Sequence, residues 1–293
     1  MSKPACWINL AEWVRLGYAN LMGRNKIKPT DQHFMMARVV KAVRISPNFM
    51  RLTLAGLEGL DVCGFDQWCR LFFTRTGQEV LALPTRTSEF GWYLQYLATP
   101  KAQRPWVRAY TIREARPELG EVDIDFVLHG DHDQMGPAAK FALAAQPGDE
   151  LGFLDRGNTY DVERTNAWTL LVGDETALPA IAGICRSLPD STQGIAIIEI
   201  PSSEDQQQFT APTGMEIRWV ARDESSETQE KPGQLALKEL MDTTLPETEI
   251  HAHTIGESAL ATGARRYLIQ EHGLPKRNID FMGYWRHGRA QSS

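Results

Sequence analysis

The sequence is short of cysteine, of long apolar runs and of positive charge, and each shortage removes a class of protein. Its four cysteines, Cys6, Cys63, Cys69 and Cys185, never form a Cys-x-x-Cys pair, so zinc or iron–sulfur spacing is missing and no resident metal site is expected. Scattered thiols suit buried free cysteines in a reducing cytoplasm. Apolar stretches such as Leu178 to Cys185 fall far short of the ~20 residues that span a bilayer. A formal net charge of -6 gives no general attraction to nucleic acid, while a local basic pocket for an acidic ligand stays possible. At the N-terminus, Asn9, Glu12 and Arg15 interrupt the apolar Trp7 and Leu10. The unbroken apolar region of a secretory signal is therefore missing, and a cytoplasmic monomer is expected.

What is present is a soluble, globular composition, 42% apolar and 23% charged over 293 residues, a length that suits two domains. Trp7, Leu10, Val14, Tyr18 and Leu21 recur at three- and four-residue spacing, which predicts an N-terminal helix within an extension over residues 1–33. Packing on the next domain is favoured for it over a dimer contact or a membrane surface. From residue 34 to 160 short runs rich in Val, Leu and Phe predict an antiparallel β-barrel: Met36 to Ile45, Phe49 to Leu54, Trp68 to Arg75 and Glu150 to Leu154. Val122 to Leu128 alternates, with Val122, Ile124, Phe126 and Leu128 inward and Asp123 and Asp125 outward. Gly136 to Ala145 predicts a short helix. The polar stretch Asn158 to Asn166 marks the boundary. Residues 161–293 then alternate short apolar strands, Trp168 to Val172, Gly194 to Ile200, Met215 to Val220 and Glu249 to Ile255, with helical patterns, the signature of a mostly parallel α/β sheet. The polar run Arg222 to Lys231 predicts a solvated loop.

Three segments carry residue types suited to chemistry. In Arg108-Ala109-Tyr110-Thr111-Ile112-Arg113, Arg108 and Tyr110 share one strand face. An arginine fork clamps a pyrophosphate, a tyrosine stacks on a flat ring, and a threonine hydroxyl bonds a ring nitrogen. Next, Asp125-Phe126-Val127-Leu128-His129-Gly130 leads to Gly136, Pro137, Ala138 and Ala139, small residues at a helix start whose N–H groups can meet an anion. Finally, Leu170-Leu171-Val172 runs into Gly173-Asp174-Glu175-Thr176-Ala177 and a helix. That is a strand–turn–helix suited to a dinucleotide phosphate, although no Gly-x-Gly-x-x-Gly is present.

These motifs, with the terminal Gly283-Tyr284-Trp285-Arg286-His287-Gly288, occur in an order and spacing that resembles the siderophore-interacting protein family of ferric-siderophore reductases, over roughly residues 34–288. The resemblance implies a ferredoxin-reductase-like arrangement, with FAD on the barrel and NAD(P)H on the α/β domain. It makes Arg108, Ala109, Tyr110 and Thr111 FAD contacts, with Thr111 the candidate catalytic residue. Asp125, Val127, His129, Gly136, Pro137, Ala138 and Ala139 would line the flavin nucleotide. Gly173, Asp174, Glu175, Thr176, Ala177, Gly256 and Glu257 would face NAD(P)H. It also implies a basic cluster for an anionic ferric siderophore, for which Arg70, Arg156 and Arg286 are the candidates. The chain departs from the family pattern at Ala139, where serine is common, at Phe141, where tryptophan is, and at His253-Thr254-Ile255, which replaces a Trp-x-Ala-type lead into Gly256-Glu257. Two other activities fit the same motifs: a reductase of free flavin or quinone, and a flavin- or siderophore-binding sensor without turnover.

Overall fold

A computed structural model describes residues 27–75, 77, 78, 80–128, 135–164, 167–225 and 231–288. The N-terminal helix expected over residues 7–21 lies outside these residues, and so does His129. The first half contains β1 (Phe34–Ser46), β2 (Phe49–Ala55), β3 (Trp68–Phe73), α1 (Glu89–Ala98), β4 (Trp106–Arg116), β5 (Glu121–Val127), α2 (Pro137–Ala144) and β6 (Glu150–Asp155). Its strands close into an antiparallel barrel in the order β1-β2-β5-β4-β3-β6. The alternation of β5 explains the closure: Val122, Ile124 and Phe126 are fully buried in the barrel, each contributing about 1.5–3 kcal/mol. Asp123 and Asp125 point outward but are not left to water. Asp123 accepts from Thr53 Oγ1 and Arg116, and Asp125 accepts both arms of Arg51 at 2.6 and 2.8 Å.

The second half contains β7 (Trp168–Gly173), α3 (Leu178–Ser187), β8 (Gln193–Ile200), β9 (Gly214–Ala221), α4 (Gln234–Asp242), β10 (Ile250–Glu257), α5 (Ser258–Gln270) and β11 (Ile279–Trp285). These form a five-stranded sheet ordered β11-β10-β7-β8-β9, parallel at every pairing. Helices cover both faces, so β7, β8 and β10 are buried on both sides; β7 and β8 read as mainly apolar runs, whereas β10 buries His251, His253 and Thr254 as well.

The two units are bolted together. Asp205, in the turn after β8, accepts from Ser46 Oγ, Asn48 N and Asn48 Nδ2 at 2.6, 2.9 and 2.7 Å. The Arg186 guanidinium on α3 donates twice to the Arg113 carbonyl, and Phe65 N donates to Ser187 Oγ at 2.8 Å. Gly183 of α3 touches the barrel so closely that a Cβ there would collide with the Phe65 carbonyl. Phe49, Ile45 and Val127 of the barrel join the apolar cluster formed by Leu171, Ile181 and Ile198.

Two expectations change. Helix α1 was not anticipated; Ser88 caps it by accepting from Gly91 N, and Trp92 and Tyr96 pack with Phe72 and Leu154 into a small separate core. Arg222, read as part of a solvated loop, is instead held by two buried carboxylates, Glu175 and Glu199.

Candidate functional site

The site forms around β3 and β4, where the barrel meets the carboxyl ends of the parallel strands. On β4, Arg108 and Tyr110 share a face, as their spacing requires. The Tyr110 ring lies 4.3 Å from Phe126, and Arg108 is half-buried over Trp106. Burial pulls the Arg108 guanidinium below its ordinary value, with Arg75 nearby adding to the effect, so an anionic group beside it would be stabilised. An aromatic chain runs from Tyr110 through Phe126 and Phe73 to Phe141 of α2. No side chain caps α2 at Gly136, which leaves its first amides for a ligand, and Pro137, Ala138 and Ala139 form its first turn. A desolvated guanidinium, a flat aromatic and an uncapped helix start fit the pyrophosphate and ring of FAD.

The opposite face of β4 carries Ala109, which is exposed, and Thr111, which is buried. Ala109 lies across the ladder from Arg70, and Thr111 from Trp68. A β-bulge between Ile112 and Glu114 leaves Arg113 outside the ladder, where its Nε lies 3.6 Å from Asp125. Asp125, expected at the flavin nucleotide, thus sits between Arg51 and Arg113, and Val127 packs into the second domain's core.

From the second domain, Tyr284 on β11 approaches the Thr111 side chain across the seam. Burial, reinforced by the charges of Asp66 and Asp174, raises the Tyr284 phenol far above its usual value, so it stays neutral at physiological pH. Two residues further on, Arg286 is exposed just past the end of β11.

The dinucleotide-facing turn is built by internal bonds. Asp174 accepts from Thr176 N at 2.9 Å, Thr176 Oγ1 at 2.5 Å, Glu257 N at 2.6 Å and Trp285 Nε1 at 2.9 Å. Burial, with the neighbouring Glu175 charge, raises its carboxyl to about 7, against the pull of those donors. Gly256 has φ +116°, and a Cβ there would sit 2.6 Å from the Asp174 carboxylate, so only glycine brings β10 this close. Glu257 caps α5 by accepting from Ala259 N and Leu260 N, and accepts from His287 N. Glu175 pairs with Arg222. Gly173 ends β7, and Ala177 is the N-cap of α3. The acidic side chains of these motifs are therefore engaged within the protein, and the turn offers a ligand mainly backbone.

Arg70 and Arg156 do come together. The Arg70 Cζ lies 5.3 Å from the Trp68 ring and 4.9 Å from the Trp92 ring on α1, and the Arg156 Cζ lies 5.8 Å from Trp68. This cation–aromatic cluster borders Thr111 through Trp68.

Sequence reasoning missed Asp66. It is buried and accepts from Thr159 N and Tyr160 N, each at 2.9 Å, and from Thr159 Oγ1, with His253 Nε2 at 3.6 Å. Burial opposes its ionisation, but the nearby His253 ring and the bonds from Thr159 and Tyr160 outweigh it and hold the carboxyl below its usual range. A lone Asp before a strand gave no signal. His253, which departs from the family pattern, is accommodated by Asp66 and by Tyr160, whose ring is 5.6 Å away.

A closed antiparallel barrel followed by a five-stranded parallel sheet is the fold of the ferredoxin reductases, and a carbazole-dioxygenase ferredoxin reductase superposes with a TM-score of 0.62 at 16% identity. The chain belongs to the siderophore-interacting protein family: residues 38–159 match the siderophore-interacting FAD-binding domain, and residues 166–288 match the siderophore-interacting protein model. It is 28% identical over 259 residues to the ferric vibriobactin reductase ViuB of Vibrio cholerae, covering 87% of this chain and 90% of that one. It is also 28% identical over 262 residues to the NADPH-dependent ferric-chelate reductase of Escherichia coli, covering 87% and 94%. The crystal structure of a siderophore utilization protein from T. fusca superposes with a TM-score of 0.75 at 31% identity, covering 92% of this chain and 99% of that one.

Proposed function

We propose that this protein is an NAD(P)H-dependent, FAD-containing reductase of ferric siderophores that releases iron as Fe(II) in the cytoplasm. Bound FAD supplies the link between a two-electron donor and a one-electron acceptor, so that one NAD(P)H yields two Fe(II), NAD(P)+ and one proton. The approach of Tyr284 to Thr111 carries the reading, because it marks where the barrel and the dinucleotide-binding sheet share one seam.

The chain's own residues divide the work. Arg108, Tyr110 and the first turn of α2 would hold the pyrophosphate and ring, with Ala109 leaving the strand face open beside them. The Thr111 hydroxyl would orient the ring through a hydrogen bond to nitrogen. The Gly173 to Ala177 turn and Gly256-Glu257 would present backbone to the dinucleotide, with Asp174 fixing both segments. Arg70, Arg156 and Arg286 would attract an anionic ferric chelate, and Trp68 and Trp92 would hold the first two arginines in place. Iron(II) is bound more weakly than iron(III) by hard anionic oxygens because its charge is lower, so reduction releases the metal. The reductase names of the Vibrio cholerae and Escherichia coli relatives support the assignment.

The test is anaerobic incubation of the FAD-loaded protein with a ferric siderophore and NADH, NADPH or neither, trapping Fe(II) with a ferrous chelator. Nicotinamide-dependent Fe(II) is expected. Flavin that bleaches without delivering iron to any of several chelates would sink the substrate assignment, and flavin that no nicotinamide bleaches would sink the enzyme.

A further inference from the structure

The packing of Trp92 and Tyr96 onto Phe72 and Leu154 accounts for one face of α1 only. Residues three and four apart share a helix face, and the face turned away from the barrel carries Phe90, Leu94 and Leu97, which are 58%, 42% and 41% exposed. Besides Glu89, the helix has a single polar side chain that is not aromatic, Gln95. Its Oε1 is turned to the preceding loop, where it accepts from Thr85 N at 2.9 Å and Arg86 N at 3.2 Å. Scattered apolar residues are ordinary on a protein surface. A ridge of one phenylalanine and two leucines is not scattered, and a helix that is apolar on both faces normally has both covered.

The charge around the ridge indicates what covers it. From Gln67 to Ile112 the sequence holds six basic residues, Arg70, Arg75, Arg86, Lys101, Arg104 and Arg108, against two acidic ones, Glu79 and Glu89, in a chain whose formal net charge is -6. Counting in the exposed Asp31, on the segment that leads to Phe34 beneath the helix, still leaves the basic residues in twofold excess. Three of the cations bracket the ridge. Arg86 precedes α1, Lys101 follows it, and Arg104 folds back on its end, donating to the Leu97 and Thr99 carbonyls. Arg75 lies 3.8 Å from the Trp106 ring and donates to the Arg104 carbonyl. Carbonyls and a ring hold these two guanidinium groups without neutralising them.

We propose that α1 is a docking ridge for an anionic lipid surface, with Phe90, Leu94 and Leu97 entering the boundary between headgroups and acyl chains, and Arg86, Lys101 and Arg104 meeting the headgroups. A protein partner would cover roughly 20–30 residues with a matched shape, whereas a lipid surface needs only apolar side chains with cations at their rim. The inference goes beyond the reductase reading and does not depend on it. Where both hold, Trp92 connects them: it borders Arg70, so docking would keep the Arg70 and Arg156 cluster about one helix diameter, ~10 Å, from the headgroups.

Cosedimentation of the full-length, FAD-loaded protein with phosphatidylcholine vesicles, with and without phosphatidylserine, is the test. Binding is expected to be at least about tenfold stronger with phosphatidylserine, since each cation near the surface contributes about fivefold, and to weaken with added salt. The triple variant Phe90→Ser/Leu94→Ser/Leu97→Ser should lose at least about tenfold in binding and keep its flavin, because these side chains point away from the core. Arg86→Glu/Lys101→Glu should abolish the preference for phosphatidylserine. Equal binding to the two kinds of vesicle, or to neither, overturns the inference. So does binding that survives the triple variant, which would put the contact elsewhere on the chain, or a lipid-free dimer that the triple variant dissolves, which would make a second copy the occupant. If the triple variant loses its flavin, the charge-reversed variant decides, and an unchanged preference in it overturns the inference.

Discussion

Thr111 on β4 and Tyr284 on β11 meet across the seam between barrel and sheet. Replacing Thr111 with valine keeps the shape of the side chain and removes the hydroxyl. Flavin content should be unchanged, while anaerobic bleaching of the flavin by reduced nicotinamide should slow roughly tenfold, the worth of one oriented hydrogen bond. An unaltered rate in stopped flow would remove Thr111 from the candidate catalytic residues.

Arg70 and Arg156 share Trp68, and their positive charge should be felt by the ferric chelate more than by the dinucleotide. Arg70→Ala and Arg156→Ala should each raise KM for an anionic ferric siderophore by roughly tenfold and leave flavin bleaching by nicotinamide within twofold or so. Unchanged KM in both variants would place the substrate elsewhere.

Asp205 accepts three bonds from Ser46 and Asn48. Removing its carboxylate in Asp205→Ala leaves those donors unmatched and should cost about 3 kcal/mol. The loss is expected as a lowered denaturation midpoint together with faster proteolysis between the two domains. A midpoint that does not move would show that the apolar contacts of Phe49 and Val127 suffice.

Asp174 supplies a pH dependence whose sign follows from its raised carboxyl. The folded state holds a proton up to about 7, whereas an ordinary aspartate loses it near 3.9. Between roughly pH 4 and 7 the folded chain therefore binds more proton than the unfolded one, and this group's contribution to stability falls as pH rises, by at most about 1.4 kcal/mol per pH unit. Asp174→Asn should flatten that slope in denaturant titrations. A slope that the substitution leaves intact would assign it to other groups.

Much of the fold could be read from periodicity. Val122 to Val127 alternates because one face fills a barrel, and Leu170 to Val172 is wholly apolar because helices cover both faces of its sheet. Helix α1 escaped notice because its aromatics serve two purposes. Trp92 and Tyr96 fill a pocket over Phe72, while Gly91 in the same turn reads as a loop residue. At the site, Arg108, Tyr110 and Thr111 were visible as chemical types on one strand. The engagement of Asp174, Glu175 and Glu257 was not visible, since their partners Trp285, Arg222 and His287 stand 30 or more residues away. The role of Asp66 depends on Thr159 and His253, and local sequence cannot bring these three together. His253 looked like a break in the family pattern and lies beside the Asp66 carboxylate, with its Nε2 3.6 Å away.

Helix α1 enters between β3 and β4 without joining the barrel's ladder, yet Trp92 on it forms one wall around Arg70. Strand pairing and domain docking lie elsewhere. What borders Arg70 can therefore change with the solvent-facing residues of α1 and leave every ladder hydrogen bond in place, as long as Trp92 and Tyr96 keep filling the pocket over Phe72.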